Sequence, residues 1–156
     1  MDREFLLRQI QNLDWHLPEE IQKVAIDHLV RAKPEMSDFI IQELCNILAQ
    51  GDKSLFENAV ETIMLIGYPG NEKALSSLVC HLMDLNWPGV PKAIETLKSI
   101  EMKILIPIIE QHIQKAYENQ DYMWLGGINY FLKGTGVTEA DFNDLETYKL
   151  LSFADF

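Results

Sequence analysis

The chain of 156 residues has the length of one domain, and its 47% hydrophobic and 24% charged residues are typical of a folded globular protein. Thirteen basic residues stand against 24 acidic ones, and the net charge of −11 argues against nucleic acid as a partner, because phosphate backbones are repelled. The N-terminus lacks the basic and apolar regions of a secretion signal, and no apolar run is long enough for a bilayer. We therefore predict a cytoplasmic protein that binds neither nucleic acid nor membrane.

Apolar residues at helical spacing predict helices along the chain, and no segment alternates with period two for long enough to form a strand. Ser37 is the expected N-cap of the third helix and Asn71 that of the fifth, while Thr138 and Asp141 resemble a capping box for the ninth. Pro107 marks a first turn or a kink in the seventh helix. The predicted helices cover about 2–13, 18–32, 38–49, 54–66, 72–85, 90–100, 103–117 and 122–133, with a ninth after position 138.

A five-residue pattern recurs every 34 residues, as AIDHL at 25–29, AVETI at 59–63, AIETL at 93–97 and GINYF at 127–131. Two columns in the first helix of each pair keep the same offset: Leu7, Ile41, Leu75 and Ile109, and Ile10, Leu44, Leu78 and the exception His112. Because one helix pair cannot bury its apolar faces alone, the period predicts pairs that stack on one another. Tetratricopeptide repeats share this period, but their small residues and proline would fall where this chain has others.

We therefore predict an all-α fold, a short α-solenoid of about four HEAT-like two-helix repeats with a C-terminal capping helix, although 34 residues is short for a HEAT unit. The whole chain, 1–156, forms one domain. The predicted repeats are 2–34, 35–70, 71–101 and 102–135, and the cap is 138–152.

The second helices of the pairs align four polar side chains. At about 100° per residue, the third residue of each recurring pattern lies about 200° from its buried small residue and is exposed. In a solenoid the second helices usually line the concave binding face, so such a column would attract a basic protein or peptide. The alternative is a merely solvated acidic face, since cations flank two of the carboxylates. The column is Asp27, Glu61, Glu95 and Asn129, and the flanking cations are Lys23, Arg31, Lys92 and Lys98.

The second repeat is the strongest candidate for binding, because Glu57 and Glu61 have no cation within their own helix and Leu65 occupies an exposed register beside them. An aromatic residue also stands near the start of each second helix: Trp15, Phe56, Trp87 and Trp124. These rings either wedge between helices or anchor a partner. The predicted partner-binding residues are Asp27, Glu57, Glu61, Leu65, Glu95, Asn129 and Trp87.

The sequence predicts no catalytic, cofactor or metal site. The four histidines show no two-ligand spacing, and the adjacent Cys80 and His81 point about 100° apart on a helix. Glu19 and Glu20 are typical of charge at a helix N-terminus, and no glycine-rich phosphate loop is present. Cys45 and Cys80 are expected to be reduced, buried thiols.

The segment LMDLNWPG at 82–89, followed by DYMW at 121–124, resembles a family of bacterial domains of unknown function with small, all-helical, HEAT-like folds. The resemblance covers most of the chain from about Asp14 to Leu132. It implies a bacterial, stand-alone, cytoplasmic protein without known catalysis. Some small helical-repeat proteins of this kind are immunity proteins, and an acidic one would suit a basic nuclease toxin.

Three classes of function follow. The first is an interaction module that binds a basic protein or peptide, with an immunity-type protein as one form of it. The second is an enzyme such as a HEAT-like DNA glycosylase, which would need a basic groove. The third is an oligomerising protein, because the C-terminal tail could contact a partner instead of capping the stack; a monomer is expected, with a dimer through the C-terminal helix as the alternative. The apolar tail residues are Phe142, Leu145, Tyr148, Leu151 and Phe153.

Overall fold

The computed structural model of the chain describes residues 2–155, and every regular element among them is a helix, so the all-α prediction is confirmed. Short 3-10 helices at Pro34–Met36, Glu72–Ala74, His81–Met83, Glu139–Asp141 and Leu150–Phe153 adjoin the α-helices. Within the described part of the chain, no helix is long and apolar enough to cross a membrane. The α-helices are α1 (Arg3–Gln11), α2 (Glu19–Val30), α3 (Ser37–Gln50), α4 (Lys53–Ile66), α5 (Leu75–Cys80), α6 (Val90–Lys98), α7 (Met102–Glu118), α8 (Tyr122–Lys133) and α9 (Leu145–Lys149).

Consecutive helices pack as pairs, α1 with α2, α3 with α4, α5 with α6 and α7 with α8. Each first helix also contacts the next first helix, from α1 to α3, α5 and α7, and the second helices α2, α4 and α6 contact one another in turn. The last second helix departs from this order, because α8 packs on α7 and on the 3-10 helix at 81–83 and makes few contacts with α6. A gap therefore opens between α6 and α8.

The recurring small residues lie in the core, since Ala25, Ala59 and Ala93 are fully buried and Gly127 is buried as well. The first apolar column is buried at its three later positions, but Leu7 is 40% exposed, which corrects the prediction for α1. Every member of the second column is buried, including the exception at position 112.

His112 replaces an apolar residue in that column without leaving its polar atoms unsatisfied. Its Nδ1–H donates to the carbonyl oxygen of Ile108 at 2.7 Å, and its Nε2 accepts from the hydroxyl of Ser76 at 2.9 Å. Its ring also meets Trp124 edge to face. Burial lowers the pKa of His112, which keeps the imidazole neutral in the core.

All three predicted helix caps act differently from expectation. Ser37 makes no side-chain cap, because it is the first residue of α3 itself and its amide donates to the carbonyl oxygen of Pro34 in the 3-10 helix before it. Asn71 points its buried amide back to donate to the carbonyl oxygen of Ile63 at 3.0 Å, near the end of α4. The capping box of Thr138 and Asp141 is present, but it caps the 3-10 helix at 139–141. The following helix α9 starts later, with Asp144 as its N-cap.

The fifth predicted helix, 72–85, is divided into a short α-helix between two 3-10 helices. Contact with α8 accounts for the end of α5 at Cys80. The carbonyl oxygen of Val79 accepts from the indole Nε1 of Trp124 at 3.2 Å, and the backbone at Leu82 meets Gly127 directly. Pro107 lies inside α7 on its exposed side, and the helix continues through it to Glu118.

Candidate binding groove between the second helices

A groove of about 510 Å³ lies between α2 and α4, on the face where the sequence predicts binding. We call it the acidic groove. Its carboxylates are Glu19 and Asp27 on α2 and Glu61 on α4, and its apolar lining includes Ile26, Val30 and Leu65. Three of the predicted binding residues, Asp27, Glu61 and Leu65, therefore meet in one place.

The base of the acidic groove is fixed by a buried polar contact. Asn58 is buried, and its Nδ2 donates to the carbonyl oxygen of Leu13 at 2.7 Å and to Oε1 of Gln22 at 2.8 Å. These bonds tie α4 to the first helix pair. Because they satisfy an amide that is out of reach of water, they set the distance between α2 and α4.

Each carboxylate of the acidic groove has a cation nearby. The ion pairs are Glu19 with Lys23 at 3.0 Å, Asp27 with Arg31 at 2.8 Å, and Glu61 with Lys92 at 3.5 Å. The first two pairs are largely exposed, and pairs of this kind contribute about 0–1 kcal/mol. An incoming guanidinium or ammonium can therefore exchange with the local cations at small cost.

Lys92 of α6 closes the space between α4 and α6. Its Nζ lies 2.9 Å from Glu57 and 3.5 Å from Glu61. Burial alone would lower the pKa of Lys92. The hydrogen bond from Lys92 to Glu57 and the negative charges of Glu57 and Glu61 outweigh burial, so the pKa of Lys92 is raised. Glu57 thus faces α6 instead of the acidic groove, and Lys92 does not pair with Glu95 as its spacing had suggested.

The remaining predicted residues lie elsewhere. Glu95 is exposed and has no ion pair with residues 2–155. Asn129 is half-buried and lines a separate pocket with Tyr148 and Leu151 of the C-terminal segment. Trp87 is half-buried against the ring of Phe56, 5.9 Å away between centroids. The predicted column is thus divided among several environments.

The segment Asn86 to Gly89 leads into α6 and packs on α4. The Nε2–H of His81 donates to the carbonyl oxygen of Pro88 at 2.8 Å, and Asp84 accepts from the amide of Asn86 at 2.9 Å. Gly89 has φ +89°, and a Cβ there would press on Val60 and on the backbone of α4. Within this segment, the ring of Trp87 contacts the rings of Phe56 and His81.

The other aromatic residues near the second helices differ in burial. Phe56 and Trp124 are buried, as expected of wedges between helices. Trp15 is 45% exposed, because it lies in the loop before α2. Its amide donates to the carbonyl oxygen of Ser54, and its ring meets that of His16 edge to face.

Cys45, Cys80 and His81 line one small pocket beside Trp87. Cys45 and Cys80 are free thiols, and burial raises the pKa of each. Across positions 2–155, no group of three or more metal-ligating side chains is placed to hold a metal ion. Sequence reasoning missed a second groove between α6 and α8, although the recurring period placed its residues at equivalent positions.

Comparison of the chain with protein-family models, with curated proteins and with solved structures finds no match. Its function is therefore inferred from the chemistry of its own residues. The acidic groove is lined by three carboxylates, by one cation, Lys23, and by apolar side chains. That combination suits a side chain with a cationic head and an apolar stem.

Proposed function

We propose that the chain is a non-catalytic protein-interaction module whose acidic groove binds a basic segment of a partner protein. The supporting observation is the meeting of Glu19, Asp27 and Glu61 around the apolar lining of one groove. Lysine and arginine side chains would lay their stems on Ile26 and Leu65 and direct their charges to the carboxylates. The net charge of −11 would speed the approach of such a partner.

We also infer that the helix pairs form the short HEAT-like solenoid that the period predicts. Support comes from equivalent burial at equivalent positions: Leu29, Ile63, Leu97 and Phe131 are each at most 1% exposed. The serial contacts of α2, α4 and α6 agree with stacking. In such an arrangement the acidic groove lies on the row of second helices.

An immunity-type protein that neutralises a basic toxin is one specific form of this proposal. It agrees with the acidic groove and with the predicted resemblance to bacterial HEAT-like domains, which stays a prediction. A DNA glycosylase is less well supported, because the carboxylates of the acidic groove would repel a phosphate backbone.

The test compares two variants of equal net charge. One is Asp27→Asn with Glu61→Gln, which removes charge from the acidic groove. The control is Glu72→Gln with Glu118→Gln, which removes the same charge from exposed sites outside the groove. Binding of a peptide containing lysine, arginine and leucine is measured by fluorescence anisotropy at low and high salt. We expect about tenfold weaker binding by the groove variant and little change in the control.

Circular dichroism first establishes that both variants are folded. Equal loss of binding in the two variants would mean that the peptide responds only to overall charge, and the acidic groove would then not be the site. Binding that is unchanged by salt would contradict the electrostatic basis of the proposal.

A further inference from the structure

The gap between α6 and α8 forms a second groove, of about 770 Å³, which we call the basic groove. Its apolar lining includes Ile94 and Phe131, and Tyr130 stands at its rim with 58% of its surface exposed. Its charged residues are Lys98 and Lys133. None of its lining residues is a carboxylate, in contrast to the acidic groove.

The two grooves occupy equivalent registers of the chain. Ile94 lies two periods of 34 residues beyond Ile26 of the acidic groove, and both side chains line their grooves. Lys98 and Lys133 lie equally far beyond Val30 and Leu65, respectively. At these last two positions, the acidic groove has Val30 and Leu65 where the basic groove has lysines.

Neither lysine of the basic groove is neutralised by a described neighbour. The ion pairs among residues 2–155 include neither Lys98 nor Lys133. Lys98 reaches across from α6 to the end of α8, where a Cβ at Gly134 would lie 3.1 Å from its Nζ. Two unpaired cations beside apolar side chains, in a chain of net charge −11, are complementary to a carboxylate-bearing apolar segment.

The space between the two grooves is closed. Lys92 of α6 pairs with Glu57 and Glu61 of α4, and the ring of Phe56 on α4 is buried. Neighbouring helices pack about 8–10 Å apart, so the centres of the two grooves are separated by about 20 Å. A ligand of one groove therefore does not fill the other.

We propose that the basic groove binds an apolar peptide segment that bears carboxylates. Its apolar side chains would lie on Pro91, Ile94 and Tyr130, and its carboxylates would pair with Lys98 and Lys133. This inference stands without the acidic groove. One further step rests on the proposed function: a single partner that uses both grooves has a basic segment and an acidic, apolar segment about 20 Å apart.

The experiment uses two peptides of equal length with the same leucine and phenylalanine positions, one with glutamate and one with lysine at every other position. Binding is followed by anisotropy with a neutral dye, and the contacted residues by amide chemical-shift changes in the full chain. We expect the glutamate peptide to shift amides of α6 and α8. Its affinity should fall about tenfold in Lys98→Gln with Lys133→Gln, and stay unchanged in the matched control Lys103→Gln with Lys149→Gln.

The proposal is overturned if the wild-type chain shows no saturable binding of the glutamate peptide. It is also overturned if the Lys98 and Lys133 variant binds this peptide as tightly as the Lys103 and Lys149 control does. Shifts of α6 and α8 caused only by vesicles of anionic phospholipid would likewise overturn it, in favour of a lipid headgroup. The lysine peptide reports separately on the acidic groove. Its failure to bind would remove the proposed function and leave the basic groove standing.

Discussion

A single glycine determines how α8 meets the rest of the chain. From the sequence, Gly126 and Gly127 only weaken a predicted helix by about 1 kcal/mol each. In the structure, a Cβ at Gly127 would collide with the carbonyl oxygen of Leu82. The absence of a side chain therefore allows two backbones to touch, and this contact positions α8 on the 3-10 helix at 81–83.

We expect Gly127→Ala to lower the free energy of unfolding by about 2–3 kcal/mol, because the new methyl group forces rigid backbone apart. Urea denaturation followed by circular dichroism measures the change. The control is Gly134→Ala, whose φ of −78° suits alanine and whose new Cβ would meet mainly the flexible end of Lys98. It should change stability by about 0.5 kcal/mol or less. Similar losses in both variants would contradict the backbone-contact explanation.

At the scale of elements, the C-terminal segment packs back on α7 and α8. The ring of Phe153 lies 5.1 Å from that of Tyr117 and 6.1 Å from that of Tyr122. The buried Glu110 of α7 accepts from Nδ2 of Asn143 at 3.0 Å and from the amide of Asp144 at 2.7 Å. These contacts favour the cap over the partner surface, although Leu145 is 46% exposed.

We expect Glu110→Ala to loosen this segment locally. The substitution removes both charge-assisted bonds, which should cost about 1–3 kcal/mol. Hydrogen exchange should accelerate in residues 142–155 while α1 to α4 stay protected. The control Gln111→Ala changes an exposed neighbour on the same helix. Equal acceleration throughout the chain would mean that the segment is part of the global folding unit.

The helices themselves were largely predictable, because their periodicity and end signals are local. The predicted bounds of the eighth helix, 122–133, agree with α8 despite its glycines. The fifth predicted helix was wrong in length, because Trp124 and Gly127 of α8 engage its backbone from outside. Because that contact comes from another helix, the spacing of residues within α5 does not predict it.

At the scale of the whole molecule, the charge is unevenly distributed. Residues 35–70 have six carboxylates and one lysine, whereas residues 102–135 have three of each sign. The row of second helices accordingly changes from an acidic groove to a basic one. The net charge of −11 predicts a cationic partner and gives no indication of the basic groove.

Stability should depend on pH through two buried histidines. Burial lowers the pKa of His81 and of His112 below their ordinary 6.5 in the folded chain. The unfolded chain therefore binds more protons just below that pH. The stabilisation is fully present above about pH 6.5 and is lost as the pH falls through the folded pKa values, by up to about 1.4 kcal/mol per histidine and pH unit.

Urea denaturation at a series of pH values measures this dependence. His112→Gln should reduce the slope below pH 6.5, whereas Gln111→Ala, at the exposed neighbouring position, should leave it unchanged. An identical slope in the His112 variant would show that His112 does not contribute to the acid response.

The sequence by itself determined the helical class, the order of the helices and most of the buried positions, because each follows from local periodicity and the burial of apolar side chains. It also placed Asp27, Glu61 and Leu65 on one face. Only the tertiary structure decided that Lys92 pairs with Glu57 and Glu61. It alone also decided that α8 packs on the 3-10 helix at 81–83, which leaves the basic groove between α6 and α8. Those outcomes depend on distances between helices, which are set by contacts such as that of Gly127 and are not encoded in the spacing within any one helix.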